Sequence, residues 1–312
     1  MINKPDFFIA GAAKAGTTSL YEYLKQHPQV YFSPVKEPNY FSSDINVNEF
    51  SATYRQNTFL DVDAYFSDEP LKPLQLTYIR KREHYLKLFE GRTDEKMAGE
   101  ASSSYLVSEV AAKNIHQFNP DAKIIVVLRN PLARAYSHYL MALRYGHTKL
   151  SFRDAIEKDM NATSKGIGKS EMFIEFGLYA TQLKRYYRVF PEKQIKIIFF
   201  EDLVSNTRAA LEDIQGFLSL DEVILNTTQT HNEAKIPRFP LLNKLLVESG
   251  LKNILKSLLK GKALEKLKSS MFDSVKNQKI NESDKQFLLN IYRSEIDELA
   301  AMTKTDLSHW KK

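Results

Sequence analysis

The segment Asp6–Thr18 constrains the fold more than any other part of the chain. Residues 7–10 form an apolar run that is long enough for a buried strand and too short for a helix. Gly11 and Gly16 then bracket a turn, and Thr17–Gln26 has the apolar spacing of a helix. A strand, a glycine turn and a helix in this order point backbone N–H groups and a helix N-terminus at one anion. The segment therefore predicts a site for a phosphate or a group of similar shape.

This turn differs from the loop that binds nucleoside triphosphates. The spacing of the two glycines is the same, but Thr17 follows Gly16, and the lysine lies earlier, at Lys14. The next strong strand, residues 123–128, ends at Arg129, where a magnesium-dependent site would place an acid. A cation there suits a second anion. The plainer alternatives are a turn that only packs its helix, a solvated Lys14 and an Arg129 that forms a structural ion pair.

Composition bounds the remaining possibilities. The chain has 312 residues, of which 43% are hydrophobic and 26% charged, so one large α/β domain or two small ones can form a core. Because it has no cysteine, disulfides, thiolate metal sites and cysteine nucleophiles are excluded, which fits a reducing compartment. No apolar run approaches the ~18 residues that span a bilayer. We expect a soluble, cytoplasmic protein.

Positive charge is concentrated in one segment. Residues 235–280 carry eleven Lys or Arg against three acids, a local charge of +8 in a chain whose net charge is +6. Such a segment favours an anionic partner, and no nucleic-acid-binding signature accompanies it. Residues 250–268 have helical spacing of leucines with lysines beside them. They predict either a helix packed on the core or a surface helix that contacts an anionic saccharide or the inner face of a membrane.

Alternation of strands and helices predicts the fold class: an α/β fold with a doubly wound parallel sheet. We expect a single domain, 1–312, with an α/β core at 5–240 and a helical, basic C-terminal part at 241–312. We interpret residues 29–41 as a loop and 42–75 as a surface excursion. The other predicted elements are strands at 96–101, 123–128 and 195–200 and helices at 83–89, 107–118, 131–145, 177–190 and 207–218.

Three motifs together resemble a known enzyme family. They are the turn Gly11–Thr18, the loop Lys36–Phe41 and the strand end Leu128–Pro131. The chain resembles sulfotransferases that use PAPS (3′-phosphoadenosine 5′-phosphosulfate), and more closely bacterial members related to the heparan sulfate glucosaminyl sulfotransferases. The resemblance covers most of residues 5–240 and again 283–310, and it implies the P-loop-like sulfotransferase fold.

The resemblance implies roles for individual residues. It places Lys14 at the transferred sulfate and Arg129 and Ser137 at the 3′-phosphate of the nucleotide. It implies no metal. The remaining donor-binding residues that it implies are Ala15, Gly16, Thr17 and Thr18 at the 5′-phosphate and His231 and Asn232 in a loop that closes over the nucleotide.

On the acceptor side, the resemblance places Glu37 as the catalytic base, although an ion pair is the plainer interpretation of that residue. The segment Glu100–Tyr105 departs from the family pattern, because a common lysine and proline are Ala101 and Ser103 here. Lys36 is a candidate to replace the missing lysine. From the residues alone, we interpret His138 and His231 as structural or supporting side chains rather than catalytic ones, and Tyr179 as packing.

The predicted activity is metal-free, in-line transfer of the sulfuryl group of PAPS to a hydroxyl or amine, with PAP as the product. The expected acceptor is a carbohydrate, with stretches 42–75 and 146–176 shaping its cleft. Three alternatives stay open: sulfation of a small-molecule or lipid hydroxyl, an ATP-dependent kinase, and a non-catalytic anion-binding protein. The sequence does not indicate the oligomeric state.

Overall fold

The structure is a computed structural model that describes residues 4–228, 235–249, 271–274 and 280–312. The predictions for His231, Asn232 and the helix 250–268 lie outside the described residues. The strands are β1 (Phe7–Gly11), β2 (Val30–Phe32), β3 (Val35–Glu37), β4 (Leu74–Leu76), β5 (Met97–Ala101), β6 (Lys123–Leu128), β7 (Ile195–Phe199), β8 (Lys235–Pro237) and β9 (Phe272–Ser274).

Helices alternate with these strands through most of the chain. They are α1 (Thr17–Leu24), α2 (Ala52–Gln56), α3 (Val62–Ser67), α4 (Arg82–Lys87), α5 (Ser104–Val107), α6 (Ala111–Phe118), α7 (Pro131–Tyr145), α8 (Phe152–Met160), α9 (Tyr179–Tyr187), α10 (Phe200–Ser205), α11 (Thr207–Leu218), α12 (Pro240–Glu248) and α13 (Glu282–Thr303). Short 3-10 helices lie at Val47–Glu49, Glu175–Gly177, Glu192–Gln194 and Ser308–Lys311.

The centre of the fold is a five-stranded parallel sheet with the order β2-β5-β1-β6-β7. Strand β1 is buried along its whole length and β6 is buried after its first residue, because helices cover both faces of the sheet. The small sheets pair β3 with β4 in parallel and β8 with β9 in antiparallel register. The predicted fold class, an α/β fold with a parallel sheet and a C-terminal helix, is confirmed.

The strand order determines where a ligand can bind. From β1 the chain first builds one side of the sheet, through β2 and β5, and then returns to the other side with β6 and β7. The order in which strands are added to the sheet therefore reverses beside β1. At such a point α/β sheets leave a crevice, outside the carboxyl ends of the strands. The glycine turn, Ser102 and Arg129 follow β1, β5 and β6 at this edge.

Residues 280–312 pack back onto this edge. The buried residues Tyr292 and Trp310 belong to the same hydrophobic cluster as the sheet. The indole of Trp310 packs against Tyr179 and Phe199, with ring centroids 6.4 and 5.6 Å apart. Asn130, just after β6, donates through Nδ2 to the carbonyl of Trp310 at 3.3 Å. Within the described parts of the chain, no helix combines the length and apolarity needed to cross a membrane.

Several predicted elements were wrong. Residues 29–41 are not a loop, because β2 and β3 lie there, and 42–75 contains α2, α3 and β4. These strands have only three residues each, and Ser33–Pro34 separates β2 from β3, so the apolar alternation is too short to detect.

Helix boundaries differed for local reasons. The helix predicted at 107–118 is the shorter α6, which begins after the separate helix α5 has ended. The hydroxyl of Ser108 accepts from the N–H groups of Val110 and Ala111 at 3.3 and 3.1 Å and starts the new helix there. The helix predicted at 177–190 is the shorter α9, and the residues after β7 form α10.

A candidate anion-binding and catalytic site

The turn after β1 is anchored to the sheet and leads directly into α1. Ala12 N–H donates to Val127 of β6 at 2.7 Å, and Ala15 N–H donates to Ala12 at 3.2 Å. Ala15 and Thr17 are buried, and Thr18 is half-buried. No side chain caps the first turn of α1. The backbone N–H groups at the start of the helix are therefore oriented toward the crevice without a side-chain acceptor.

Gly16 allows this geometry. Its φ of 93° lies in the left-handed region, and a Cβ placed on it would lie 2.9 Å from Cδ2 of Phe200 in α10. We predict that Gly16→Ala lowers the free energy of unfolding by about 1–3 kcal/mol and disturbs the turn. Gly216→Ala is the matched control, since Gly216 is helical with nothing within 4 Å of a new Cβ, and it should stabilise by about 0.5–1 kcal/mol. Thermal unfolding measures both, and equal effects would contradict the prediction.

Lys14 lies within this turn and has no carboxylate partner among the described residues. Its Nζ donates to the thioether of Met141 in α7, at 3.7 Å. Burial, reinforced by the charges of Arg129, Arg144 and Arg134, lowers the pKa of Lys14 to about 8, while Glu37 raises it. A crowded group of cations of this kind is unfavourable alone and is stabilised by a bound anion.

Arg129 follows β6 and points back toward the turn. Its Nη1 donates to the carbonyl of Lys14 at 3.2 Å, and its guanidinium lies 4.7 Å from the centre of the Phe200 ring. The Tyr179 hydroxyl donates to the Arg129 carbonyl at 2.9 Å, so the residue interpreted as packing also orients the end of β6. Burial lowers the pKa of Arg129. The charged groups of Arg129 and Lys14 thus lie on one side of the crevice.

Helix α7 places further polar groups beside this pair. Arg134 is completely buried, forms no salt bridge with a described acid, and donates to Nδ1 of His138 at 3.2 Å and to the Phe173 carbonyl. Burial and the charge of Arg134 hold the pKa of His138 well below its usual value. Ser137 is half-buried on the same helix. Its role at a phosphate stays a prediction.

Glu37 lies at the end of β3, close enough to the turn for its charge to act on Lys14. Its Oε1 accepts from Lys36 Nζ at 3.0 Å, and its Oε2 accepts from the Ser103 hydroxyl at 3.0 Å. Its negative charge raises the pKa of Lys14, so this carboxylate acts on the turn electrostatically. Lys36 is 4% exposed and also lies 5.8 Å from the centre of the Tyr21 ring. The structure thus brings a carboxylate and the two cations Lys14 and Arg129 around one crevice.

Sequence reasoning missed part of this arrangement. Arg144 was not singled out, Arg134 was noted only within the segment that resembles a 3′-phosphate site, and Ser103 was noted only as a departure from a family pattern. The signal in α7 was helical spacing: Arg134, Met141 and Arg144 recur at intervals that place them on one side of a helix. Ser103 and Glu37 are 66 residues apart, and no local pattern could have paired them.

Comparison with known proteins identifies the family. The sulfotransferase domain family matches this chain over residues 4–286. The chain belongs to this family. The sulfotransferase resemblance predicted from the three motifs is thereby confirmed.

Similar sulfotransferases include enzymes that are named for carbohydrates. Human heparan sulfate glucosamine 3-O-sulfotransferase 6 is 29% identical over 243 residues, which cover 77% of this chain and 59% of the human protein. Mouse carbohydrate sulfotransferase 15 is 24% identical over 285 residues, covering 78% of this chain and 51% of the mouse protein. The chain thus spans only between half and three-fifths of the length of these relatives.

A solved structure matches the chain from end to end. The sulfotransferase from Alicyclobacillus acidocaldarius is 27% identical with a TM-score of 0.69, and the match covers 99% of both chains. The match therefore includes the helix α13 and the C-terminal 3-10 helix as well as the sheet.

Proposed function

We propose that this member of the sulfotransferase family transfers the sulfuryl group of PAPS to a hydroxyl or amine of a carbohydrate. The observation that carries the proposal is that Lys14 and Arg129, which form no salt bridge with a described acid, lie within electrostatic reach of the Glu37 carboxylate. Cations without a carboxylate partner fit an anionic donor, and a nearby carboxylate fits a base.

The residues of the turn fit the donor. The uncapped start of α1 and the left-handed Gly16 form a cradle of backbone N–H groups, and Lys14 adds a positive charge that contacts the thioether of Met141. We assign Lys14 to the sulfate and Arg129 and Ser137 to the 3′-phosphate. The other residues assigned to the donor are Ala15, Gly16, Thr17, Thr18, His231 and Asn232.

Sulfuryl transfer resembles phosphoryl transfer, in which charge builds on the leaving oxygen and the protein contributes mainly position and electrostatics. PAPS supplies the sulfuryl group and leaves as PAP. Glu37 takes the proton of the acceptor as the new bond to sulfur forms and the bond from sulfur to the 5′-phosphate oxygen breaks. Lys14 stabilises the charge on that oxygen. Lys36 and Ser103 hold the two oxygens of Glu37 in place.

At the end of β5, where the family commonly has a lysine, this chain has the buried Ala101, so no charge is present at that position. We propose that Lys36 serves the site in its place, through its contact with Glu37. The relatives named for heparan sulfate and carbohydrate support a glycan acceptor. A small-molecule or lipid hydroxyl is the second candidate within the same chemistry.

The proposal is tested by incubating the protein with sulfur-labelled PAPS and EDTA against a panel of heparan-type oligosaccharides, glycolipids and small phenols. We expect label in a carbohydrate and full activity without a metal. Transfer of phosphate from ATP would replace the proposal by a kinase. PAP binding without transfer to any acceptor, unchanged by Glu37→Gln, would indicate a non-catalytic binding protein.

Donor binding should depend on pH through Lys14. Because its pKa is about 8 in the free protein and the 5′-phosphate oxygen of a bound nucleotide stabilises the charged form, Lys14 should add no pH dependence to PAP affinity below about pH 7. Above pH 8 the affinity should fall by up to about tenfold per pH unit. Lys14→Arg keeps the charge at all these pH values and should flatten the profile. Calorimetric titration measures both, and an unchanged profile in Lys14→Arg would contradict the assignment.

We also propose that the whole chain acts as one cytoplasmic domain that contacts the inner face of a membrane. The basic segment 250–268 lies outside the described residues, but α12, which precedes it, favours this contact. Asn243 and Val247 are buried and fix the helix on α7, where Asn243 Nδ2 donates to the Leu143 carbonyl at 2.9 Å. On the outer face of α12, Leu241 and Leu245 are each 54% exposed. Exposed leucines beside a basic segment suit an anionic lipid surface.

Sedimentation with vesicles tests this contact. The protein should pellet with vesicles that contain phosphatidylglycerol and not with phosphatidylcholine alone, and Leu241→Ser with Leu245→Ser should abolish pelleting. Ile224→Ser is the control, since Ile224 is 79% exposed elsewhere on the surface. Concentration-dependent dimers in place of vesicle binding would assign the face to a second copy of the chain.

A further inference from the structure

The carboxyl group of Glu100 is buried beside the proposed catalytic base. Glu100 lies in β5 opposite Phe8 of β1 and is 1% exposed. Its Oε1 accepts from the Ser102 hydroxyl at 2.7 Å, and its Oε2 accepts from the Tyr85 hydroxyl at 2.5 Å. It forms no salt bridge within the described parts of the chain. A carboxyl group that is buried without a cation depends on its hydrogen bonds for stability. Removing one hydrogen-bond donor leaves a buried oxygen without a partner, so the network is sensitive to the loss of any one of its members.

The bond to Ser102 continues to the loop that carries Glu37. Because the Ser102 hydroxyl donates its proton to Glu100, its lone pairs are free to accept, and they accept the backbone N–H of Asn39 at 3.1 Å. The carboxylate therefore sets the direction of the Ser102 hydroxyl, and that hydroxyl anchors Asn39 to β5.

Asn39 in turn fixes the backbone of Glu37. It has a left-handed φ of 49°, and its Nδ2 donates to the carbonyls of Glu37 and Thr77, each at 2.9 Å. Its Oδ1 accepts from the Ser104 hydroxyl at 2.5 Å. Because the backbone N–H, Nδ2 and Oδ1 of Asn39 are all hydrogen-bonded, its left-handed conformation is fixed, and the adjacent backbone is fixed with it. The neighbour two residues away is the proposed base.

We propose that Glu100 is a positioning residue, which orients the Glu37 carboxylate through Ser102 and Asn39. This inference rests on the proposed function, because it concerns the alignment of the base for sulfuryl transfer. Glu100 contacts neither donor nor acceptor. Its effect is transmitted along three consecutive hydrogen bonds from the central sheet to the loop.

The same geometry makes the alignment depend on pH. The groups that face Glu100 are Tyr85 from α4, Tyr105 from α5, Tyr186 from α9 and Glu37 from β3. Burial raises the pKa of Glu100 to about 7, against hydrogen bonds from Tyr105, Tyr85 and Ser102 that lower it. Once the carboxyl group of Glu100 is protonated, it becomes a hydrogen-bond donor, and its proton and the Ser102 proton compete for the same position between the two oxygens. The link to Asn39 is therefore complete above about pH 7 and weakened below it.

Hydrogen exchange of the backbone amides in residues 37–42, with PAP present, tests this inference. In the unmodified protein the protection of this segment, corrected for intrinsic exchange, should fall about tenfold as the pH drops from 8 to 6. Glu100→Gln should lower protection at pH 8 and remove the pH step, because an amide places a donor where Ser102 or Tyr85 already donates. Tyr85→Phe is the control, since it removes the bond to the other oxygen and should change protection less than threefold.

Turnover in the transfer assay gives the second measurement. Glu100→Gln should lower kcat about tenfold with KM for PAPS and affinity for PAP unchanged. The inference is overturned if protection of 37–42 has no pH step in the unmodified protein, a result that needs no variant to fold. It is also overturned if Glu100→Gln and Tyr85→Phe act equally. Failure of PAP to bind the unmodified protein would instead refute the proposed function.

Discussion

Replacing Arg129 by alanine will weaken PAP binding by about 2–4 kcal/mol, or roughly 30- to 1000-fold in Kd. The guanidinium is partly buried, forms no salt bridge with a described acid, and is oriented by the Lys14 carbonyl and the Phe200 ring. A phosphate bound there gains charge-assisted hydrogen bonds in a partly desolvated site, and truncation leaves that phosphate without its main cation. Affinity for AMP, which lacks the 3′-phosphate, should change little. Calorimetric titration measures both nucleotides.

Arg208→Ala controls for the loss of one positive charge. The side chain of Arg208 is 69% exposed on α11 and pairs with its helix neighbour Glu212. The expected change in PAP affinity is less than twofold. If Arg129→Ala and Arg208→Ala lower PAP affinity equally, Arg129 is not the ligand of the 3′-phosphate. The same conclusion follows if Arg129→Ala lowers the affinity for AMP as much as the affinity for PAP.

Glu37→Gln will lower kcat by about 10²–10⁴-fold and leave PAP affinity unchanged. Glutamine keeps the shape of the side chain and its bond to the Ser103 hydroxyl or to Lys36, but it cannot accept a proton. The loss therefore falls on the chemical step and not on donor binding. Transfer of label from PAPS to the acceptor measures kcat, and calorimetry measures the binding of PAP.

Glu83→Gln is the matched control, because Glu83 is an exposed acid in the first turn of α4. It should retain full activity. Full turnover by Glu37→Gln would remove the general base from the mechanism. A parallel loss of PAP affinity would show that Glu37 acts by supporting the cation group and not by accepting a proton.

The sequence predicted the elements with strong local signals. Helix α7 was predicted with its observed ends, 131 and 145, because Pro131 begins it, the Asn130 side chain accepts from Leu132 N–H at 2.9 Å, and Gly146 ends it with a φ of 77°. The turn before α1 was recognised for a similar reason, since its glycines mark positions that other residues cannot occupy without strain.

The connections across the crevice were not predictable in this way. Asn39 bonds Ser102 and Ser104, which are 63 and 65 residues away, and neither serine carries a local signal. Glu100 was visible only as part of a family segment. Its burial follows from the position of β5 next to β1, and that order is a property of the assembled sheet. Sequence motifs thus identified the groups that we assign to the donor, whereas the groups that we propose align the base became visible only in the fold.

Titration of the metal-free protein with PAP, AMP and ATP tests the central claim most directly. The cation group predicts that PAP binds at least about 2 kcal/mol more tightly than AMP, the difference that a 3′-phosphate in a site with an unpaired arginine should make. Saturation by PAP without added metal, together with weak binding of AMP and ATP, would establish the donor class. Preference for ATP, or the absence of any nucleotide binding, would contradict the proposed sulfuryl transfer.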